Sequence, residues 1–146
     1  MSFDFENDGK AIYEEIKFFS VETNDFINSQ PSAKNLDASE KFLRRLNAVH
    51  ARHAEIAGKA ESFFNALMYH AISTMSDEEF KKIKNSSTLT ERYVIGKYPK
   101  AGAVYKEIER LGRVLQSTAE NTRTLLSSYR LEREFDLKTR VRQRSS

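Results

Sequence analysis

The residues in this chain with the most chemical potential are two histidines and a scattered set of arginines and lysines. His50-Ala-Arg-His53 sets two imidazoles at i and i+3, a spacing that lets both reach one metal from one helical face. A di-metal site in a helical bundle also needs Glu-x-x-His pairs, and none occurs here. His53 falls on the apolar line of its helix, so packing is the expected role and no metal is expected. The chain has no G-x-G-x-x-G, P-loop, G-x-S-x-G or H-E-x-x-H. The absence of Cys excludes disulfides, thiolate zinc sites and cysteine nucleophiles, and fits a reducing compartment. The chain is therefore read as a non-enzyme without a cofactor.

The basic residues are the better lead. Arg45, Arg52 and Lys59 stand one heptad apart, with Lys41 and Arg44 close to the first; Arg123 and Arg130 repeat the spacing, and Arg133, Arg140, Arg142 and Arg144 follow near the end. A lysine or arginine that reaches a phosphate releases counterions, which gives salt-sensitive binding that is indifferent to base sequence. The simpler role is that of solvated surface charges paired with Glu55, Glu120, Glu132 and Glu134. Charge distribution favours a shared role: residues 1–40 carry nine acids against three lysines, whereas residues 101–146 carry ten basic residues against six acids. An acidic head and a basic body mean either that the head docks on the basic surface or that this surface faces a polyanion. The candidate nucleic-acid-binding residues are Lys41, Arg44, Arg45, Arg52, Lys59, Arg123, Arg130, Arg140 and Arg142. Tyr69, Tyr93, Tyr98 and Tyr105 could stack on bases, but their spacing suits packing at a helical tip equally well.

The elements that must position these residues are long helices. With 146 residues, two Pro and five Gly, breaks are few and one domain is expected. In a last helix over 100–137, the residues Val104, Ile108, Leu111, Leu115, Thr118, Thr122, Leu125 and Tyr129 alternate at spacings of four and three, the pattern of a coiled-coil seam. A second helix over 37–74 repeats it through Phe42, Leu46, Val49, His53, Ile56, Ala60, Phe63 and Leu67. Each is about 55 Å long. Their short connection predicts an all-α, coiled-coil-like antiparallel hairpin, joined by short helices that Ser76–Glu79 and Thr88–Glu91 cap, with Pro99 opening the last helix. Asp37 or Ser39 is expected to cap the second helix.

Before the hairpin, a helix over 10–28 presents Ile12, Ile16, Phe19, Phe26 and Ile27 on one face and acids on the rest. The layout is an acidic flexible segment over 1–9, one helical domain over 10–137 and a basic flexible tail over 138–146. A narrow two-helix seam is barely stable alone, which predicts a homo-oligomer. No apolar run could span a bilayer, and MSFDFENDGK lacks the parts of a signal peptide. A soluble cytoplasmic protein is expected.

Residues 40–135 resemble the UvsY-type recombination mediators of tailed phages. The resemblance is carried by a long helix ending in Phe63-Phe64, a connector Ser87-Thr88-Leu89-Thr90-Glu91-Arg92, the group Tyr98-Pro99-Lys100, and a long helix closing in Leu125-Leu126-Ser127-Ser128-Tyr129-Arg130-Leu131-Glu132. It implies a non-enzymatic ring that binds single-stranded DNA non-specifically and helps a RecA-like recombinase replace single-strand-binding protein, in a host cytoplasm. In that family basic residues just before the aromatic pair contribute to DNA binding; here Lys59 alone stands near that place, between Gly58 and Ala60. The alternative is a coiled-coil adaptor or scaffold, phage-structural or host-takeover in kind, whose helical faces bind other proteins.

Overall fold

The computed structural model describes residues 9–32 and 34–145; among them, five helices and no strand account for about 90%. The all-α expectation holds. Helix α1 is Lys10–Asn28, α2 is Leu36–Thr74, α3 is Asp77–Ile83, α4 is Ser87–Lys97 and α5 is Pro99–Arg144. The acidic segment 1–9 lies, apart from Gly9, outside the described residues. From 138 onward, where a flexible tail is expected, α5 continues as helix through Arg144, its side chains exposed.

Short polar residues set the helix starts, though not always those expected. Asn35 caps α2, its Oδ1 accepting from the Ala38 N–H at 3.1 Å. Of the two residues expected there, Asp37 pairs with Lys41 at 3.3 Å and Ser39 is buried, its hydroxyl donating to the Ser32 carbonyl. The capping box of α3 forms as predicted, with the Glu79 N–H donating to Ser76 Oγ and the Ser76 N–H donating to Glu79 Oε2, both at 3.3 Å. Helix α4 is capped by Ser86 instead of Thr88, because its first turn starts two residues earlier than the Thr88–Glu91 pattern requires. Pro99 occupies the first turn of α5, where its missing N–H costs nothing.

Helices α2 and α5 run antiparallel. Their register is visible in three contacts: Glu40 pairs with Arg130, His53 meets the Ile108 carbonyl, and Phe64 stacks on Tyr105 at 4.6 Å. Helix α1 fills the groove between them and makes the arrangement three helices thick. Its Ile16 and Phe19 join Phe42, Leu46, Ile56, Ala60, Ile108, Leu111, Leu115 and Ala119 in one core cluster. A second cluster at the connector end gathers Tyr13, Phe64, Leu67, Ala71, Val94 and Ala101, with Tyr93, Tyr98 and Tyr105 packed around it. Those three tyrosines are packing residues, and burial raises the Tyr105 phenol above its ordinary range. Ile95 of α4 seats against the Gly102 backbone of α5, where a Cβ would come within 2.9 Å of it.

The third helix also changes which residues are inside. Along α5 the buried line is Ile108, Leu111, Leu115, Ala119, Thr122 and Leu126, an average spacing close to the 3.6 of a straight helix. The predicted seam, drawn at 3.5, drifts off this line in the second half, so that Leu125 is 41% exposed while Leu126 is 3% exposed. On α2 the same drift buries Phe64 and leaves Phe63 half-buried. A two-helix seam must supercoil to keep a heptad line in contact. With α1 widening the covered face, a straight helix buries the line its own pitch dictates. The thin middle of α5 is satisfied locally, since Thr118 and Thr122 donate to the carbonyls of Val114 and Thr118 at 2.8 and 2.7 Å.

Candidate nucleic-acid interface

The nine candidate basic residues separate into two edges of α2 and two free ends. Residues one apart on a helix point about 100° apart, so Arg44 and Arg45, adjacent in sequence, belong to opposite edges. On one edge, Arg45, Arg52 and Lys59 do form the stripe that heptad spacing predicts. That stripe is the seat of α1. The Arg45 guanidinium lies 5.5 Å over the Phe26 ring, which itself stacks on Phe42 at 4.8 Å. Arg52 lies 5.4 Å over Phe19 and pairs with Glu22 at 2.7 Å. Lys59 is 3.5 Å from Glu15 and 3.8 Å from Glu55. These three residues are thus engaged by the acids and aromatic rings of α1 while remaining exposed, so the stripe serves as a docking surface within the chain.

A further tie fixes α1 on its other side. Ser20 donates to Glu107 Oε1 at 2.7 Å, and Arg110 donates to the same carboxylate through Nη2 at 2.6 Å and Nε at 2.9 Å. Hydrogen bonding from Arg110 holds the Glu107 carboxyl below the usual carboxylate range, against a partial desolvation that pushes it up. The loop after α1 is anchored too, with Gln30 Nε2 donating to Thr122 Oγ1 at 3.2 Å.

The opposite edge is open. Arg44 and Asn47 from α2 face Arg123, Ser127 and Arg130 from α5 across a groove floored by Leu43 and Leu126. One acid, Glu40, lies in it and pairs with Arg130. Three guanidiniums against one carboxylate leave the groove net positive, with an amide and a hydroxyl between them to orient an oxyanion. The antiparallel register brings these residues together: on each helix they recur at three- and four-residue spacing, and the Glu40–Arg130 pair fixes which turn faces which. Sequence reading found the three arginines but assigned Arg44 to the other stripe, and it missed Asn47 and Ser127. Their signal was the i, i+3, i+4, i+7 repeat of Glu40, Leu43, Arg44 and Asn47, legible only once the facing turn of α5 is known.

No protein-family model, curated protein or solved structure matches this chain. What the interface can do is therefore read from its own geometry.

The remaining candidates lie apart. Lys41 is turned outward on Asp37. Arg140 and Arg142 sit on the exposed end of α5, about 200° apart around it, so they do not join the groove as a pair. Arg133 does reach its mouth, in an adjoining hollow with Leu36, Asp37, Glu134 and Leu137.

The histidines are packing residues. His53 Nε2 lies 2.7 Å from the Ile108 carbonyl, and His50 contacts its ring edge-on at 6.3 Å. Because a carbonyl only accepts, Nε2 carries a proton and donates it to Ile108. Among the described residues no group of three or more His, Asp or Glu is arranged to hold a metal ion, and no helix is long and apolar enough to cross a membrane.

Proposed function

We propose that this protein is a non-enzymatic nucleic-acid-binding mediator, assembled as a homo-oligomer, that holds single-stranded DNA along its open basic edge and helps load a RecA-like recombinase in place of single-strand-binding protein. The observation that carries the nucleic-acid part is the groove of Arg44, Arg123 and Arg130, net positive and uncovered by α1. The preference for single strands and the recombinase partner rest on the resemblance of residues 40–135 to UvsY-type mediators. The chemistry is phosphate neutralisation: arginine forks bind phosphate oxygens bidentately, and small contributions from several protomers add through a shared strand. With three phosphate contacts per protomer, log K falls against log salt with a slope of about −2, at about −0.7 per contact for single strands.

Anisotropy titration of a labelled single-stranded oligonucleotide, at two salt concentrations, tests the reading. Reversing Arg44, Arg123 and Arg130 together is expected to abolish binding at moderate salt. Each single neutralisation should weaken it uniformly across base sequences and flatten the salt slope by about 0.7. Tight binding that ignores salt, or that survives the triple reversal, overturns it.

A specific observation favours a second reading, an oligomeric adaptor that binds proteins. Leu131, Phe135, Leu137 and Val141 are all exposed on the last turns of α5, more apolar side chain than a solvated helix needs. Stable assembly without any oligonucleotide affinity at low salt would select that reading.

A further inference from the structure

Two apolar faces on rigid helices lack partners within the described residues, and they carry opposite charge. On α1, the face turned away from α2 and α5 aligns Glu14, Phe18, Val21 and Asp25; Phe18 is 61% and Val21 57% exposed. On α5, the last turns, which run past the start of α2 to form an overhang, align Leu131, Phe135, Lys138 and Arg142; Leu131 is 67% and Phe135 70% exposed. The two lines have the same spacing, i, i+4, i+7, i+11, and each runs about 16 Å. Each has two apolar residues and two like charges, acids on α1 and bases on α5, and none of these four charged residues has an ion-pair partner among the described residues.

We propose that these faces are the two halves of one contact between copies, the overhang of one protomer lying on α1 of the next. Charge decides against the symmetric alternatives. Pairing α1 with α1 antiparallel sets Glu14 against the partner's Asp25, like on like, and pairing overhang with overhang sets Lys138 and Arg142 against their own copies when parallel and against the partner's Phe135 and Leu131 when antiparallel, so that no cation meets an acid either way. The mixed pairing does the reverse. Whichever way the helices run, Phe18 and Val21 cover Phe135 and the Lys138 stem, Arg142 meets Asp25 or Glu14 at one end, and Leu131 lies against the other acid. Because the two faces lie on different parts of the same chain, the contact is heterologous, and repetition gives a closed ring or an open filament. Every protomer in such an assembly carries its open basic groove in the same orientation, so one strand can track from copy to copy. The proposal deepens the homo-oligomer part of the proposed function and does not depend on its nucleic-acid part.

Light scattering on size-exclusion fractions of the full chain, without nucleic acid, tests it. The wild type is expected to form species heavier than the 16.9 kDa protomer, growing with concentration until a ring closes. Phe18→Asp blocks one face and Phe135→Asp the other; each alone should require at least about tenfold more protein to assemble. Mixed in equal amounts, they should give a dimer and nothing larger, because one intact α1 face meets one intact overhang. Asp25→Lys and Arg142→Glu repeat the experiment with charge instead of bulk, and circular dichroism checks that all four variants keep their helix content. A monomeric wild type, unimpaired assembly of either blocked variant, or a mixture that stays monomeric while the wild type assembles would each overturn the proposal. Loss of oligonucleotide binding by the groove variants leaves these masses unchanged, so the two readings fail separately.

Discussion

His53 and Gly112 form a pair that no motif announces. A Cβ on Gly112 would sit 2.7 Å from His53 Cε1, so the ring fits between α2 and α5 only because position 112 has no side chain. Glycine costs a helix interior about 1 kcal/mol relative to alanine, yet Gly112→Ala is expected to destabilise the fold by about 1–3 kcal/mol, since it forces the ring out and breaks its hydrogen bond to Ile108. In a His53→Ala background the same change should become neutral or stabilising. Thermal denaturation of the four proteins in that cycle measures the coupling, and additive effects would remove the claim. Thr23 makes the opposite case. It is fully buried and its hydroxyl has no hydrogen-bond partner among the described residues, so Thr23→Val, which keeps the shape, is expected to raise stability by about 1 kcal/mol or more. The packing role of His53 was legible from its place on the apolar line of α2. Its glycine partner was not, because the two stand far apart in sequence and meet only through the antiparallel register.

At the scale of elements, α1 shows how local pattern and tertiary context divide the work. Its boundaries at 10 and 28 and its apolar face follow from periodicity alone, but periodicity does not say what that face packs on. The structure seats it on its own α2 and α5, and Ser20, Glu107 and Arg110 hold the far side. The Glu107 carboxyl is held below its ordinary value in the folded state. Its contribution is therefore fully present above the usual carboxylate range and is lost as pH falls through about 4 toward the lower folded value. The gap in melting temperature between the wild type and Glu107→Gln should be constant near neutrality and close below about pH 4; a gap independent of pH would show that the carboxylate charge does nothing. Gly58, by contrast with Gly112, has open space where a Cβ would go, and Gly58→Ala is expected to stabilise α2 by up to about 1 kcal/mol, read as a rise in melting temperature.

At the scale of the molecule, the charge asymmetry has a structural meaning. The acidic α1 docks on one basic edge of α2 and leaves the other edge free, so the two sets of arginines should respond differently to mutation. Reversing Arg45, Arg52 and Lys59 is expected chiefly to lower the melting temperature, through lost ion pairs of about 0.2–1 kcal/mol each and lost cation–π contacts of similar size. Reversing Arg44, Arg123 and Arg130 should chiefly lower oligonucleotide affinity. Equal loss of binding from both sets would mean that the exposed heads of Arg45, Arg52 and Lys59 also reach the polyanion.

The sequence by itself determined the all-helical class, the extent of α1, the capping box at Ser76, the entry of α5 at Pro99 and the segregation of acid from base. These depend on spacing within a few residues, on cap chemistry and on composition, all of which are local. Tertiary structure decided that Leu126 and Phe64 go inside in place of Leu125 and Phe63, that Arg45, Arg52 and Lys59 are engaged by α1, and that Arg44 joins Arg123 and Arg130. Each of those depends on a third helix lying across two others and on the turn at which antiparallel helices meet. A heptad line drawn on one helix carries no information about how many partners will cover it. That number sets the width of the buried face, and with it which charges remain in water.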